Sequence, residues 1–250
     1  ACTPAIGSLV VDSGGTIANT TTLKLGGDLK LKKGTLDLGS TSSLSVAGNI
    51  TRNTGGIITS SGTTGTITLD GGSAQTADFT GSTIPNLAVN NTAGVTLDNS
   101  VAFTWNGNCV LTKGSLALPK VTQTIKGSVT GTDASSELNA AAIVSGYALT
   151  IDGTVGSSSM VALTALKAPA GGTLNVGGSL WKVGTFTANS GTVVFSVTSP
   201  GTSTIYSSSG FYNLTKDGTG ATSFSGAQIA VSNNLVVNAG TLTLADYAGT

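Results

Sequence analysis

The sequence predicts an all-β protein, a parallel β-solenoid whose short turns carry a degenerate internal repeat. Three observations point there. Apolar residues step by two along the chain, a glycine-plus-hydroxyl motif keeps returning, and both charge and proline are scarce.

The period of two is clearest in four short stretches: "DLKLKKGTLDL" (28–38), "NCVLTKGSLAL" (108–118), "FTANSGTVVF" (186–195) and "NLVVNAGTLTL" (234–244). Aligned on Gly34, Gly114, Gly191 and Gly240, each glycine is followed by Thr or Ser. Two residues after it stand Leu36, Leu116, Val193 and Leu242, and two further on Leu38, Leu118, Phe195 and Leu244. Five residues before it stand Leu29, Cys109, Phe186 and Leu235. Strand side chains alternate between two faces, so this spacing puts the apolar set on one side. A helix would space them by three and four.

The repeat extends beyond these copies. "GNITRNTGGIITSSGTTGTITL" (48–69) resembles "GSLWKVGTFTANSGTVVF" (178–195), and "IPNLAVNNTAGVTL" resembles "FYNLTKDGTGATSF". Gly65 and Gly191 lie 126 residues apart, as do Gly114 and Gly240. Residues 1–250 therefore read as a single β-solenoid with repeat blocks near 7–38, 43–118 and 173–244 and an irregular segment at 119–172. Within that segment "ELNAAAIV" is the one stretch that reads as a short helical turn. Self-similarity implies stacked units, because one unit cannot bury its own apolar side and its neighbours must. About a dozen rungs on the order of 20 residues each would fill the chain. The alternative is two tandem antiparallel β-sandwich domains of about 120 residues each. Repeats inside each block favour the solenoid.

Composition supports order without a charged surface. Charged residues are 9%, against about 25% in an ordinary domain, while 39% are hydrophobic and 36 residues are glycine. Glycine and Asn suit corners, and only five prolines interrupt the supply of ladder N–H donors. Eleven acids balance eleven bases, so no net field draws nucleic acid or anionic lipid. "KLKK" at 30–33, the densest basic spot, reads as a solvated strand face. No apolar run reaches the ~18 residues of a membrane span. The opening "ACTPAIGSLV" reads as a processed product or an excerpt of a longer chain.

Across 43–118 and 173–244, stretches such as "GTVVF" and "GTSTIYSSSGFYNLTKDGTGATSFSGAQIAVSNNLVVNAGTLTL" resemble the strand-rich repeats of large secreted bacterial surface proteins and adhesins. That resemblance implies a parallel β-helix at the cell surface or outside the cell, serving as stalk, adhesin or fibre.

Candidate chemistry is sparse. There is no histidine, which removes His-based triads and metal sites. No catalytic, cofactor or metal residue is assigned. Most acids sit in turn contexts such as "LDGG" and "KDGTG", and no calcium-roll or phosphate-loop pattern occurs. Trp105 and Trp181 are candidates for a sugar or subunit contact, with interior packing as the alternative. Cys109 aligns with apolar positions and reads as a small buried side chain. Several rungs separate it from Cys2, so an intersubunit disulfide is more plausible than an internal one. Asn19, Asn49, Asn90 and Asn213 open glycosylation sequons. Neither end shows a charged or helical cap, although an open solenoid end bares an apolar cross-section. The expectation is an extracellular filament or surface-fibre subunit that polymerises with itself head-to-tail, without catalysis. The alternatives are an adhesin stalk or glycan-binding module, and a β-helix polysaccharide lyase or hydrolase.

Overall fold

The computed structural model describes residues 6–12, 14–157, 162–206, 209–225 and 229–244. Among them every regular element is a strand, thirty in all. Every pairing between named strands is parallel and joins each strand to its counterparts one turn away, about 21 residues along the chain. The architecture is a β-solenoid of about eleven turns. No helix is long and apolar enough to cross a membrane.

Each turn visits three faces in the same order. The first face starts at Leu9–Val11, Leu29–Leu31 and Ile50–Arg52 and ends at Val183–Thr187. The second starts at Thr16–Ala18 and Gly34–Asp37, and its later strands run from Thr83–Ile84 to Thr192–Phe195. The third starts at Thr22–Leu25 and Ser43–Val46 and ends at Thr241–Thr243. In the last two turns the first and second faces merge into single long strands, Ser209–Lys216 and Ile229–Val237.

In-register stacking turns the period of two into columns. On the third face Leu23, Leu44, Ile67, Leu87, Cys109 and Val129 stand one above another, and bridges carry the column on through Val155 to Trp181 and Ile205. From Leu44 onward these residues are at most 1% exposed. The second face has a matching column: Ile84, Trp105, Ile125, Ile151, Val176 and Phe195. The three sets meet in one continuous interior. Burying a Leu or Ile side chain contributes about 1.5–3 kcal/mol, and here each also touches a like neighbour above and below.

Corners are held by polar side chains that repeat the ladder outside it. Ser8 Oγ accepts the Asp28 N–H at 3.0 Å, Asp28 Oδ1 accepts the Asn49 N–H at 3.0 Å, and Asn49 Oδ1 accepts the Thr76 N–H at 2.9 Å. A second such ladder enters the third face, where Asn86 Oδ1 accepts the Asn108 N–H, and Asn108 Oδ1 the Ser128 N–H, both at 2.8 Å. Backbone donors left over where the chain bends are thereby satisfied.

One expectation needs correction, and the glycine motif proves to serve more than one face. "ELNAAAIV" forms no helix: Glu137–Asn139 is a first-face strand followed by turns. Stacking of Leu138 between Leu116 and Leu166 overrides the alanine-rich helical preference. The glycine motif is also not a turn-long unit. Gly34 leads into the second face, Gly114 into the first, Gly191 into the second and Gly240 into the third. The motif is a general corner, reused on every face. The 126-residue shift likewise pairs Gly65, before a third-face strand, with Gly191, before a second-face strand.

A few inward positions break the apolar rule, Gln75 and Gln123 among them, and one of them is charged. Lys216 stacks on Phe195 and is 1% exposed. Its Nζ donates to the carbonyls of Asp217 and Gly218. Burial holds its pKa below the ordinary 10.5, and the Asp217 carboxylate pulls the other way. Nearby, Ser203 and Thr222 also point inward, with hydroxyls that lack a protein partner. Buried polar side chains thus occur all along the stack, from Ser42 to Thr222.

Two predictions follow from the packing. Gly114 has φ +78°, and a Cβ there would lie 1.8 Å from the Asn91 carbonyl oxygen, so Gly114→Ala should lower stability by about 2–4 kcal/mol in chemical denaturation. Lys216→Met should raise the thermal midpoint at pH 7, by about 1 kcal/mol in stability. A depressed lysine pKa means the unfolded chain binds the proton more tightly. Wild-type stability should therefore rise as pH climbs from the folded-state pKa towards 10.5, and the gap to Lys216→Met should close over that range.

Candidate functional site

The third-face column advances by 19–23 residues per turn, except that Val129 to Val155 and Val155 to Trp181 are 26 residues each and Trp181 to Ile205 is 24. Around those steps the ladder loosens. Among the described residues the seventh turn gives the third face a bridge at Val155 and no strand. Some of the extra chain forms turns at 140–147, and Val144 is bridged to Ala170.

A groove of about 360 Å³ opens on the third face at this irregularity. Its walls are outward residues of successive turns: Asn108 and Val110, Ser128 and Thr130, Thr154, and Ser179 with Leu180. The local fold explains their arrangement. Cys109 and Val129 point inward, so their neighbours on either side in the strand point out. Ser128 Oγ accepts the Thr154 N–H at 3.0 Å and lies 3.1 Å from Thr154 Oγ1. Asn108 uses its carbonyl oxygen on the Ser128 N–H. Among the described residues, its Nδ2 and the hydroxyls of Thr130 and Ser179 have no protein partner. No lining residue is acidic, basic, or a cysteine, so the groove offers neutral hydrogen bonding beside two aliphatic side chains.

The residues singled out from sequence do not converge here. Trp105 and Trp181 are 1% and 0% exposed, which corrects the expectation of a sugar or subunit contact. Trp105 stacks on Phe103, and Trp181 meets Phe186 and Phe195 edge-on. Both are core rings, because their positions fall on inward columns. Cys109 is free and fully buried between Leu87 and Val129, and desolvation pushes its thiol well above the ordinary range. A disulfide from a neighbouring copy has no route to that sulfur without opening the turn, and Cys2 lies outside the described residues.

The four sequon asparagines differ. Asn19 donates to the Thr21 and Ser43 carbonyls, Asn49 belongs to a corner ladder, and Asn213 donates to Thr192 Oγ1. Asn90 is exposed at the end of its strand.

The acids serve local structure. Asp37 Oδ1 accepts the Gly39 N–H and the Thr59 hydroxyl, and Asp78 Oδ1 accepts the Thr80 N–H. The Ser135 hydroxyl and N–H hold Asp133 below its usual carboxylate range. Asp12 pairs with Lys32, and Glu137 with Lys167. Among the described residues no three His, Cys, Asp or Glu side chains gather as a metal site would require.

The groove was missed in the sequence because its residues are ordinary Ser and Thr. The one signal was the loss of regularity at 119–172, which overlaps the turns that open it. Comparison with models of known protein families, with curated proteins and with solved structures finds no match for this chain.

Proposed function

We propose that this chain is a structural subunit of an extracellular filament or surface fibre, joined head-to-tail through its solenoid ends. One observation carries the reading. In the eleventh turn Leu235 and Val237 occupy inward column positions, yet they are 47% and 51% exposed. Their counterparts one turn earlier, Leu214 and Lys216, are each 1% exposed. The column therefore reaches the C-terminal end without a lid among the described residues. The strand edge of Ile229–Val237 is likewise paired on one side only.

The opposite end offers a matching surface. Ile17, an inward residue of the first turn, is 40% exposed and, among the described residues, stacks on Leu36 alone. The first turn presents three short strands and the last presents two, Ile229–Val237 and Thr241–Thr243, so the ends share parallel strand direction but are different surfaces. Contact between unlike surfaces does not close on itself and propagates as a filament. Joining them would bury apolar side chains and pair free strand edges at once. The resemblance to bacterial surface proteins supports placing the filament outside the cell. The reading includes no catalytic step.

Negative-stain imaging and light scattering across a concentration series should show linear particles lengthening end to end. The pair Leu235→Lys and Val237→Lys should leave the thermal midpoint of the body nearly unchanged and abolish elongation, since a lysine ammonium held in a dry junction costs several kcal/mol. Wild-type protein that stays as single, non-associating particles throughout would overturn the proposal.

A further inference from the structure

We infer that the third-face groove is a binding site for a neutral oligosaccharide, separate from the solenoid ends. A regular in-register ladder presents a flat face, and the longest steps of the third-face column lie where the groove opens. Insertions in repeat proteins collect where partners bind, because they alter one face without breaking the stack. The groove's volume of about 360 Å³ lies in the lower range of small-molecule sites, about 300–1,000 Å³.

The lining chooses the ligand class. Asn108 Nδ2 and the hydroxyls of Thr130 and Ser179 are donors or acceptors without protein partners, and a hydroxyl-rich ligand would meet all three. Val110 and Leu180 supply aliphatic contact for the C–H face of a sugar ring. Anionic ligands find no cation in the lining. Hydroxyls on successive turns repeat at about 4.8 Å, which lets neighbouring turns reach successive groups on one ligand. The lining lacks a carboxylate or other base, so bound sugar is held and not cleaved.

The test is an array of neutral hexose and N-acetylhexosamine oligosaccharides alongside sulfated and uronate-bearing ones, with ligand-observed NMR titration of the best binder. Retention of a neutral oligosaccharide is expected. Thr130→Arg and Ser179→Arg each place a bulky charge in the groove without removing a protein hydrogen bond, and should weaken binding at least about tenfold, near 1.4 kcal/mol, with an unchanged melting midpoint. Should one variant misfold, the other decides. Retention of anionic oligosaccharides only, of none, or unchanged affinity in a folded variant overturns the proposal. The same titration on the Leu235→Lys, Val237→Lys protein reads the groove independently of assembly, so failure of the filament reading leaves this test intact.

Discussion

Stacking in register is the constraint on which the rest of this structure depends. Each residue sits about 4.8 Å from its counterpart one turn away, so a position is judged by its own chemistry repeated along an axis. Leucine above leucine closes a dry column, as from Leu44 to Leu87. Asn108 below Ser128 lets one side chain satisfy the next turn's N–H. The same rule explains why a chain so poor in charge forms an ordered body. Cohesion comes from columns and ladders, and ion pairs are confined to exposed or half-buried sites such as Asp12–Lys32, where they contribute little.

The constraint also decides what the sequence disclosed. Period-two alternation marks which side chains point inward, so the strands and their inner faces were legible. Stacked architecture followed from self-similarity. Face identity was not legible, because a corner needs only a backbone that can turn and a hydroxyl at the strand start. Gly34 and Gly114 meet that need with positive φ, and ahead of Gly191 the left-handed residues are Asn189 and Ser190. Equivalent letters therefore appear on different faces. The tryptophans misled for a related reason. Alternation with Phe103 placed Trp105 on a column, and an aromatic on a column is interior before it is a binding surface. The groove lay beyond reach because Thr130 and Ser179 look like any outward hydroxyl until the strand missing from the seventh turn leaves them beside a hollow.

Regularity and concavity are thus in opposition along this molecule. The early turns step evenly along the third face, by 20–23 residues. The longer steps on either side of Val155 cost ladder hydrogen bonds on the third face and give the molecule its concavity in return. Buried amides reinforce the regular part nearby. Gln75 donates to the Val46 carbonyl and accepts from Gly71 N–H and Asn91 Nδ2, a satisfied network that fixes the fourth turn against its neighbours. The irregular turns are flanked by ordered ones, which holds the groove walls in place while the chain between them departs from the repeat.

The C-terminal turns invert this logic. There the interior includes Ser203, Thr222 and Lys216, whose buried polar groups stabilise less than aliphatic side chains would. The turn beyond them carries Leu235 and Val237 half open to solvent. A cover on that end would bury the apolar side chains of this last turn, since the turns beneath it are already closed to solvent. Lys216 sits one turn inside that boundary, its ammonium held by the Asp217 and Gly218 carbonyls at the corner. Its charge is tolerated because the corner lies close to water, and a second body stacked on the end would lengthen the path from that ammonium to solvent. If copies dock end to end as proposed, desolvation would lower its pKa further, and association through this end should strengthen as pH rises, which light scattering across a pH series would read.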